Sequence, residues 1–209
     1  MKRLVLVRHG QSMWNLENRF TGWTDVDLTE QGIREAEDAA TLLKKSGFVF
    51  DKAYTSLLVR SIRTTWLILS SMDLSWVPVC KTWKLNERHY GALQGMDKKE
   101  VMANYGDEQV QKWRRGYEIR PPELSESDPR HPKYDARYAS IGDRLPGTES
   151  LHDTLDRVLE VWESDIRPDI ENDKSIMICA HGNSLRALMK YIENISDEDI
   201  SKVNIPTGI

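Results

Sequence analysis

Two histidines in this chain stand in matching surroundings. Val5-Leu6-Val7-Arg8-His9-Gly10-Gln11-Ser12 and Met177-Ile178-Cys179-Ala180-His181-Gly182-Asn183-Ser184 each pass from an apolar run into His-Gly, an amide residue and a serine. A lone histidine at such a place is more often a hydrogen-bonded structural residue, but a matched pair is expected to share a site. Arg8 precedes the first histidine, and Arg60 follows another short apolar stretch. Arginine's planar fork holds two phosphate oxygens at once, and such clusters stabilise a phosphoryl group in transfer. Histidine is also a nucleophile toward phosphorus, and the departing oxygen then needs a proton from an acid. Glu87, within Lys84-Leu85-Asn86-Glu87-Arg88-His89-Tyr90-Gly91, is the candidate acid. It would need a raised pKa to serve, through partial burial or a nearby anion, and it reads equally well as an ion-pair partner of Arg88.

Competing chemistries have less support. No GxxxxGK[ST] stretch, HExxH or Cys-x-x-Cys is present. His9, His181 and Glu87 are types that bind zinc, but the flanking arginines would repel a dication, so no metal is expected.

The elements that must position these residues alternate. Leu4–Val7 reads as a strand buried on both faces. Thr29 caps a helix whose stripe is Ile33, Ala36, Ala40 and Leu43, with Gly47 as its stop. Residues 52–55 form a second strand, and Ser56 opens a helix through Ile62, Trp66 and Leu69. A third strand covers 76–79, with Pro78 favouring a sheet edge. Ser150 to Ile166 is an amphipathic helix ended by Pro168, 175–180 is another buried strand, and Ser184 to Ile192 another helix. Ser196-Asp197-Glu198-Asp199 resembles a capping box for one more turn. This alternation predicts an α/β fold with a mostly parallel central sheet flanked by helices. In such sheets ligands bind beyond the carboxyl ends of the strands, which would bring His9 and His181 side by side. Gly10 and Gly182 would let backbone approach the ligand, and a helix start after His181 would favour an anion. Residues 97–148 break the rhythm and hold five of the eight prolines, as an inserted lid or subdomain would.

The 209 residues suit one α/β domain, 1–209, with that elaboration. Charged residues make up 30% and apolar ones 39%, as in a soluble globular protein. A net charge of −4 argues against a nucleic-acid partner. Cys80 and Cys179 make no disulfide framework and read as reduced thiols. With no apolar run long enough for a membrane span and no signal-peptide pattern, the expected compartment is the cytoplasm. Trp66 and Trp76 are large enough to serve an interface in a homo-oligomer, though buried core is the expected role of each.

Several stretches resemble a known family. Arg8-His9-Gly10, Arg60 and Ala180-His181-Gly182 are similar to the core of the histidine phosphatase superfamily. Arg19-Phe20-Thr21-Gly22-Trp23, Leu85 through Gly95, Trp113-Arg114-Arg115 and His181 through Ala187 resemble the cofactor-dependent phosphoglycerate mutases, along essentially the entire chain. The resemblance implies a phosphoglycerate mutase-like fold and interconversion of 3-phosphoglycerate and 2-phosphoglycerate, as in glycolysis and gluconeogenesis. It implies His9 as the phosphohistidine carrier primed by 2,3-bisphosphoglycerate, with Glu87 exchanging protons. His181, Arg8 and Arg60 would stabilise the phosphoryl group. Gly10, Ser12, Asn15, Thr21, Gly22, Arg88, Tyr90, Lys98, Arg114, Arg115, Gly182 and Asn183 match substrate-holding positions. A phosphoglycerate carries a carboxylate besides its phosphate, so a second cationic patch fits, and Lys98, Arg114 and Arg115 lie in the inserted segment. Read alone, Arg114-Arg115 would pass for a solvated basic patch.

Two features depart from the family. Gln11 stands where a glutamate is common, removing one negative charge near the phosphate. The sequence ends at Asn204-Ile205-Pro206-Thr207-Gly208-Ile209, where the family continues into a further strand and a tail over the site, so both are expected to be absent. The alternative enzyme is a phosphomonoester phosphatase on the same scaffold, with water taking the phosphoryl group from His9. A catalytically dead anion-binding module is disfavoured by the presence of all the catalytic residue types.

Overall fold

A computed structural model describes residues 3–208; Met1, Lys2 and Ile209 lie outside the described residues. Strands β1 (Leu4–Arg8), β2 (Lys52–Thr55), β3 (Val79–Lys81) and β4 (Ile176–Ala180) form a parallel sheet in the order β1-β4-β2-β3. β4 is buried at every position, as its unbroken apolar run requires between two neighbours and two helical layers. Its register opposite β1 pairs Val7 with Cys179 and Arg8 with Ala180. Both His-Gly steps therefore leave the sheet at the same level, and the His9 amide still bonds the Ala180 carbonyl at 3.0 Å.

Eight helices accompany the strands among the described residues: α1 (Met13–Leu16), α2 (Glu30–Lys45), α3 (Val59–Ser71), α4 (Lys98–Tyr105), α5 (Asp107–Arg115), α6 (Leu151–Val161), α7 (Arg167–Glu171) and α8 (Gly182–Ile192). α2 and α3 pack Ala36, Ala40, Leu43, Ile68 and Leu69 on one face of the sheet, against Val7, Met177 and Cys179. α6 and α8 cover the other with Val158, Leu185 and Leu188 against Tyr54, Ile176 and Ile178. None of the helices is long and apolar enough to cross a membrane.

Local chemistry accounts for the boundaries, and several differ from the sequence reading. Thr29 accepts the Gly32 amide and caps α2, and Gly47 beyond its end has φ +68°. α3 does not start at Ser56. Its first free amide, on Val59, is taken by Asp25 Oδ1 from a distant loop, and Ser56 turns toward His181 instead. The third strand lies at 79–81 rather than 76–79. Pro78 has no N–H to pair and only its carbonyl joins the ladder, accepting the Ala53 amide, so pairing begins after it. Trp76 and Trp66 are 70% and 55% exposed, not core; Trp76 lies outside the shortened strand and Trp66 on the outer side of α3. Pro168 does not end the helical run. A π-turn at Trp162–Ile166 joins α6 to α7, and Pro168 falls in the first turn of α7, where its missing N–H is tolerated. α8 begins at Gly182, two residues early, because the Ser184 hydroxyl accepts the His181 amide and closes its first turn.

The stretch 97–148 holds α4 and α5, followed by short 3-10 turns. Val101, Val110 and Trp113 pack on Phe20 and Leu93 in a small core of their own. At the far end of the chain Gly208 forms an isolated antiparallel bridge with Arg8, at the outer edge of β1.

The turn after His9 is fixed by a close approach to α2. A Cβ on Gly32 would stand 2.1 Å from the Gln11 carbonyl oxygen, and one on Gly10 2.1 Å from that of Gly32. Gly10 therefore allows the close contact with α2. Gly32→Ala would favour the helix by about 1 kcal/mol on propensity alone, yet the clash costs about 1–3 kcal/mol or more. The melting temperature is expected to fall by several degrees, at about 2–4 °C per kcal/mol for a chain of this size. A rise on calorimetry would show that the two backbones are not in contact.

Candidate active site

β1 and β4 deliver two imidazole rings to one place. The centroids of His9 and His181 are 4.9 Å apart, and both rings are buried. His9 Nδ1 lies 2.7 Å from the carbonyl oxygen of Gly10. A carbonyl only accepts, so Nδ1 carries the proton and the lone pair is left on Nε2. Burial, then the charges of Arg60 and Arg8, hold the His9 pKa well below its ordinary value. The ring is neutral at pH 7 and its Nε2 is free to attack. The pKa of His181 is depressed in the same way, by burial first and then by Arg60 and His9.

Beside the histidines opens a cavity of about 130 Å³, small next to the roughly 300–1000 Å³ of pockets for drug-sized ligands. Arg8, Arg19, Arg60, Lys98, Arg114, Arg115 and Arg186 line it, with Glu87 as the one carboxylate among its lining residues. Backbone carbonyls hold most of these cations in place. Arg60 donates to Gly22 and Thr24 (2.7 and 2.9 Å), Arg8 to Ile205 (2.6 Å), and Arg115 to Val203 (3.2 Å). Arg186 donates to Ile200 and Arg115. Burial lowers the pKa of Arg60 and of Arg186 to about 10, leaving both charged at neutrality. The Nε atoms of Arg8, Arg60, Arg88 and Arg186, the Thr21 hydroxyl and His181 Nδ1 are buried without a hydrogen-bond partner. Unpaired buried donors at this density demand an acceptor ligand with several oxygens.

Glu87 is 9% exposed and its carboxylate is fixed by backbone amides. Its Oε1 accepts the amides of Arg88 and Asn183, at 2.8 and 3.2 Å. A Cβ on Gly182 would fall 3.9 Å from Oε2 and 3.6 Å from the Arg8 guanidinium, so Gly182 leaves open the gap between acid and cation. Glu87 is not paired with the Arg88 side chain, which donates to the Tyr90 hydroxyl and the Arg114 carbonyl and lies over the Tyr90 ring. Behind this loop stands a buried ion pair, Arg157–Glu149, at 2.6 Å. Arg157 also donates to the carbonyls of Lys84, Asn86 and Glu87, and Glu149 accepts the His89 amide.

Asn15, Thr21, Gly22, Tyr90, Lys98, Arg114, Arg115, Gly182 and Asn183 line the cavity with His9, Arg8, Arg60 and Glu87. Ser12 does not, because its hydroxyl caps α1 by accepting the Asn15 amide. Gly10, Arg88 and His181 lie behind the lining, the last directly against His9. Arg19, Phe20, Arg186, Asn204 and Ile205 also line it and were given no site role in the sequence, although all stand in quoted stretches. Arg186 sits in the quoted motif after His181, at a helix position where an arginine reads as a solvated charge. Among the described residues no group of three or more His, Cys, Asp and Glu is placed to hold a metal ion.

Three buried neutral histidines tie stability to pH. His89 accepts the Gly91 amide on Nδ1, and burial with nearby His131 and Arg157 lowers its pKa to about 3. His9 and His181 are lowered as well. Unfolded, each takes up a proton near pH 6.5. Stability is thus complete above that pH and falls below it, by up to about 1.4 kcal/mol per pH unit for each ring. Exposed His152, raised by Glu118, opposes this only weakly. Urea midpoints are expected to drop between pH 7 and 5, and a flat profile would mean that these rings ionise inside the fold.

The comparisons with known proteins agree with this architecture. The family described as the histidine phosphatase superfamily (branch 1) matches residues 4–130 and 128–208. Among solved structures, "Mycobacterial hydrolase 1" superposes with a TM-score of 0.75 at 22% identity, over 100% of this chain and 86% of that one. A mycobacterial glucosyl-3-phosphoglycerate phosphatase complexed with VO3 gives 0.72 at 24%, over 100% and 90%. A phosphoglycerate mutase from Bacillus anthracis gives 0.67 at 20%, over 91% and 79%. At these identities the likeness is one of fold. With the family match spanning nearly every residue around a buried histidine pair and its arginines, this chain belongs to the histidine phosphatase superfamily, branch 1.

Proposed function

We propose that the protein is a phosphoglycerate mutase working through a phosphohistidine at His9, with 2,3-bisphosphoglycerate as primer. The observation that carries this reading is the make-up of the cationic lining. Arg8 and Arg60 stand at the histidine end, while Lys98, Arg114 and Arg115 come from α4 and α5. Cations brought to one cavity from different elements suit a compact ligand with a phosphate and a carboxylate, or with two phosphates. The primer, when bound, would supply the phosphoryl group that charges His9, and the unpaired donors of Arg8, Arg60, Thr21 and Arg186, which line the cavity, are the chain's means of holding it.

The steps assigned to the chain are few. The His9 Nε2 lone pair attacks phosphorus as the bond to the ester oxygen breaks, and Glu87 gives that oxygen its proton. In the return direction a substrate hydroxyl attacks the phosphorus, its proton passes to Glu87, and the bond to His9 breaks. Arg8 and Arg60 hold the phosphoryl oxygens throughout, and no charge must be reorganised because they are already in place.

A phosphatase is the second reading, and the likeness to a glucosyl-3-phosphoglycerate phosphatase supports it. Given 3-phosphoglycerate and a trace of 2,3-bisphosphoglycerate, the protein is expected to form 2-phosphoglycerate faster than inorganic phosphate. Faster phosphate release would favour the phosphatase. His9→Ala is expected to reduce either activity by at least about 10³-fold. Retained turnover would exclude the covalent route. Arg115→Met is expected to raise KM about ten- to a hundredfold, the worth of one charge-assisted hydrogen bond, with a smaller change in kcat. An unchanged KM would place the substrate's second anionic group elsewhere.

A further inference from the structure

The loop that carries Glu87 is buried although it belongs to no helix or strand. Residues 86–90 lie between two 3-10 turns, and Asn86, Arg88 and His89 are fully buried. No ladder pairs this main chain, so its polar groups must find partners elsewhere. Arg157, on α6, meets three carbonyls. Its Nη1 donates to Lys84 and Asn86 at 2.8 and 2.9 Å, and its Nη2 to Glu87 at 2.9 Å. The other two N–H groups go to Glu149, from Nε to Oε1 at 2.6 Å and from Nη2 to Oε2 at 2.9 Å. All five donors of this guanidinium are thus engaged, whereas the Nε atoms of Arg8, Arg60 and Arg186 at the cavity stand unpaired. Arg157 has nothing left to offer a ligand. Glu149 also accepts the His89 amide at 2.7 Å, so the pair holds the main chain on both sides of Glu87.

The bond to the Glu87 carbonyl matters most. That carbonyl and the Arg88 N–H belong to one planar peptide unit, and among the described residues no peptide bond is cis. The two groups therefore point in opposite directions. The carbonyl meets Arg157 and the Trp23 indole N–H, at 2.9 and 2.6 Å, while the amide donates to Oε1 of Glu87 itself at 2.8 Å. Turning the unit away from Arg157 would swing the N–H off the carboxylate that it fixes. We propose that Arg157, locked by Glu149, is a positioning residue for the acid step: it sets the 87–88 peptide unit, and through it the place where the Glu87 carboxyl group meets the departing oxygen. Lysine cannot replace it, since one ammonium lacks the fork that reaches three carbonyls and a carboxylate together.

The kinetic part rests on the phosphoryl-transfer reading; the clamp itself does not. Charging of His9 by 2,3-bisphosphoglycerate forms a nitrogen–phosphorus bond and breaks a phosphorus–oxygen bond, and the freed oxygen takes the proton of Glu87. Acetyl phosphate, a smaller donor, makes and breaks the same bonds, but acetate leaves as a stable anion and needs no proton. In Arg157→Lys, charging by 2,3-bisphosphoglycerate is expected to fall about ten- to a hundredfold, as misplacement of a reacting group does. Charging by acetyl phosphate should fall by less than about twofold, since no proton is transferred. Arg157→Met combined with Glu149→Gln leaves no buried ion alone and should show the same split. Equal losses with both donors overturn the proposal, because a merely loosened site slows both alike, and so do unchanged rates with both. Hydrogen exchange tests the clamp without turnover. In Arg157→Lys the Arg88 amide is expected to exchange about tenfold faster relative to the amides of β4, which follow global stability. An unchanged ratio overturns the proposal. An unaltered protein that neither donor charges would instead overturn the functional reading, and a freed Arg88 amide in Arg157→Lys would still uphold the clamp.

Discussion

Seven cations crowd one small cavity, and a single carboxylate among its lining residues answers them. Mutual repulsion at this density is the constraint around which the site is built. Exposed Arg19 pairs with Glu17, and the more buried arginines meet neutral acceptors: carbonyls of Gly22 and Thr24 for Arg60, of Ile205 for Arg8, of Val203 for Arg115, of Arg115 and Ile200 for Arg186. A carbonyl fixes the geometry of a guanidinium without cancelling its charge. The positive potential is thereby kept for a ligand, and the fold bears part of its cost as buried donors with no partner. Carboxylates on the same arginines would have relieved the strain and neutralised the site.

The same field governs the chemistry of the histidines. Arg60 and Arg8 depress the His9 pKa in concert with burial, so the nucleophile needs no separate base to make it neutral. What remains is to choose a nitrogen, and the Gly10 carbonyl does so at 2.7 Å. The acid is handled differently. Glu87 is held by amides of its own loop and of α8, and that loop is braced by Arg157 and Glu149, an ion pair outside the cavity lining. Charge is thus used twice, once exposed to the ligand and once as a buried brace.

How much of this could be read in the sequence depends on how local the signal is. The His9 and His181 pair was legible because both sit at strand ends in repeated contexts, and parallel pairing of β1 with β4 makes them neighbours. Glu87 was legible through the block around it. Arg186 and Arg19 were not, because a helical or loop arginine carries no mark of where its side chain ends. Ser56 was taken for a helix cap, and Asp25, which takes that capping place from afar, gave no signal at all. α4 and α5 were hidden by the prolines and polarity of 97–148, since their apolar face answers to Phe20, Leu93, Tyr90 and Met96 from outside that segment. Trp66 and Trp76 show the reverse error, where size suggested burial and the shift of β3 past Pro78 placed Trp76 outside the sheet.

The central claim is that a neutral His9, tied through Nδ1, attacks with Nε2. It is tested most directly by where phosphorus becomes attached. The protein labelled with ¹⁵N-histidine would be charged with 2,3-bisphosphoglycerate, and the phosphorus–nitrogen coupling read by NMR. The account predicts one phosphohistidine, on Nε2 of His9, lost on acid treatment. Phosphorus on Nδ1 of His9, on His181, or on no histidine at all would contradict it.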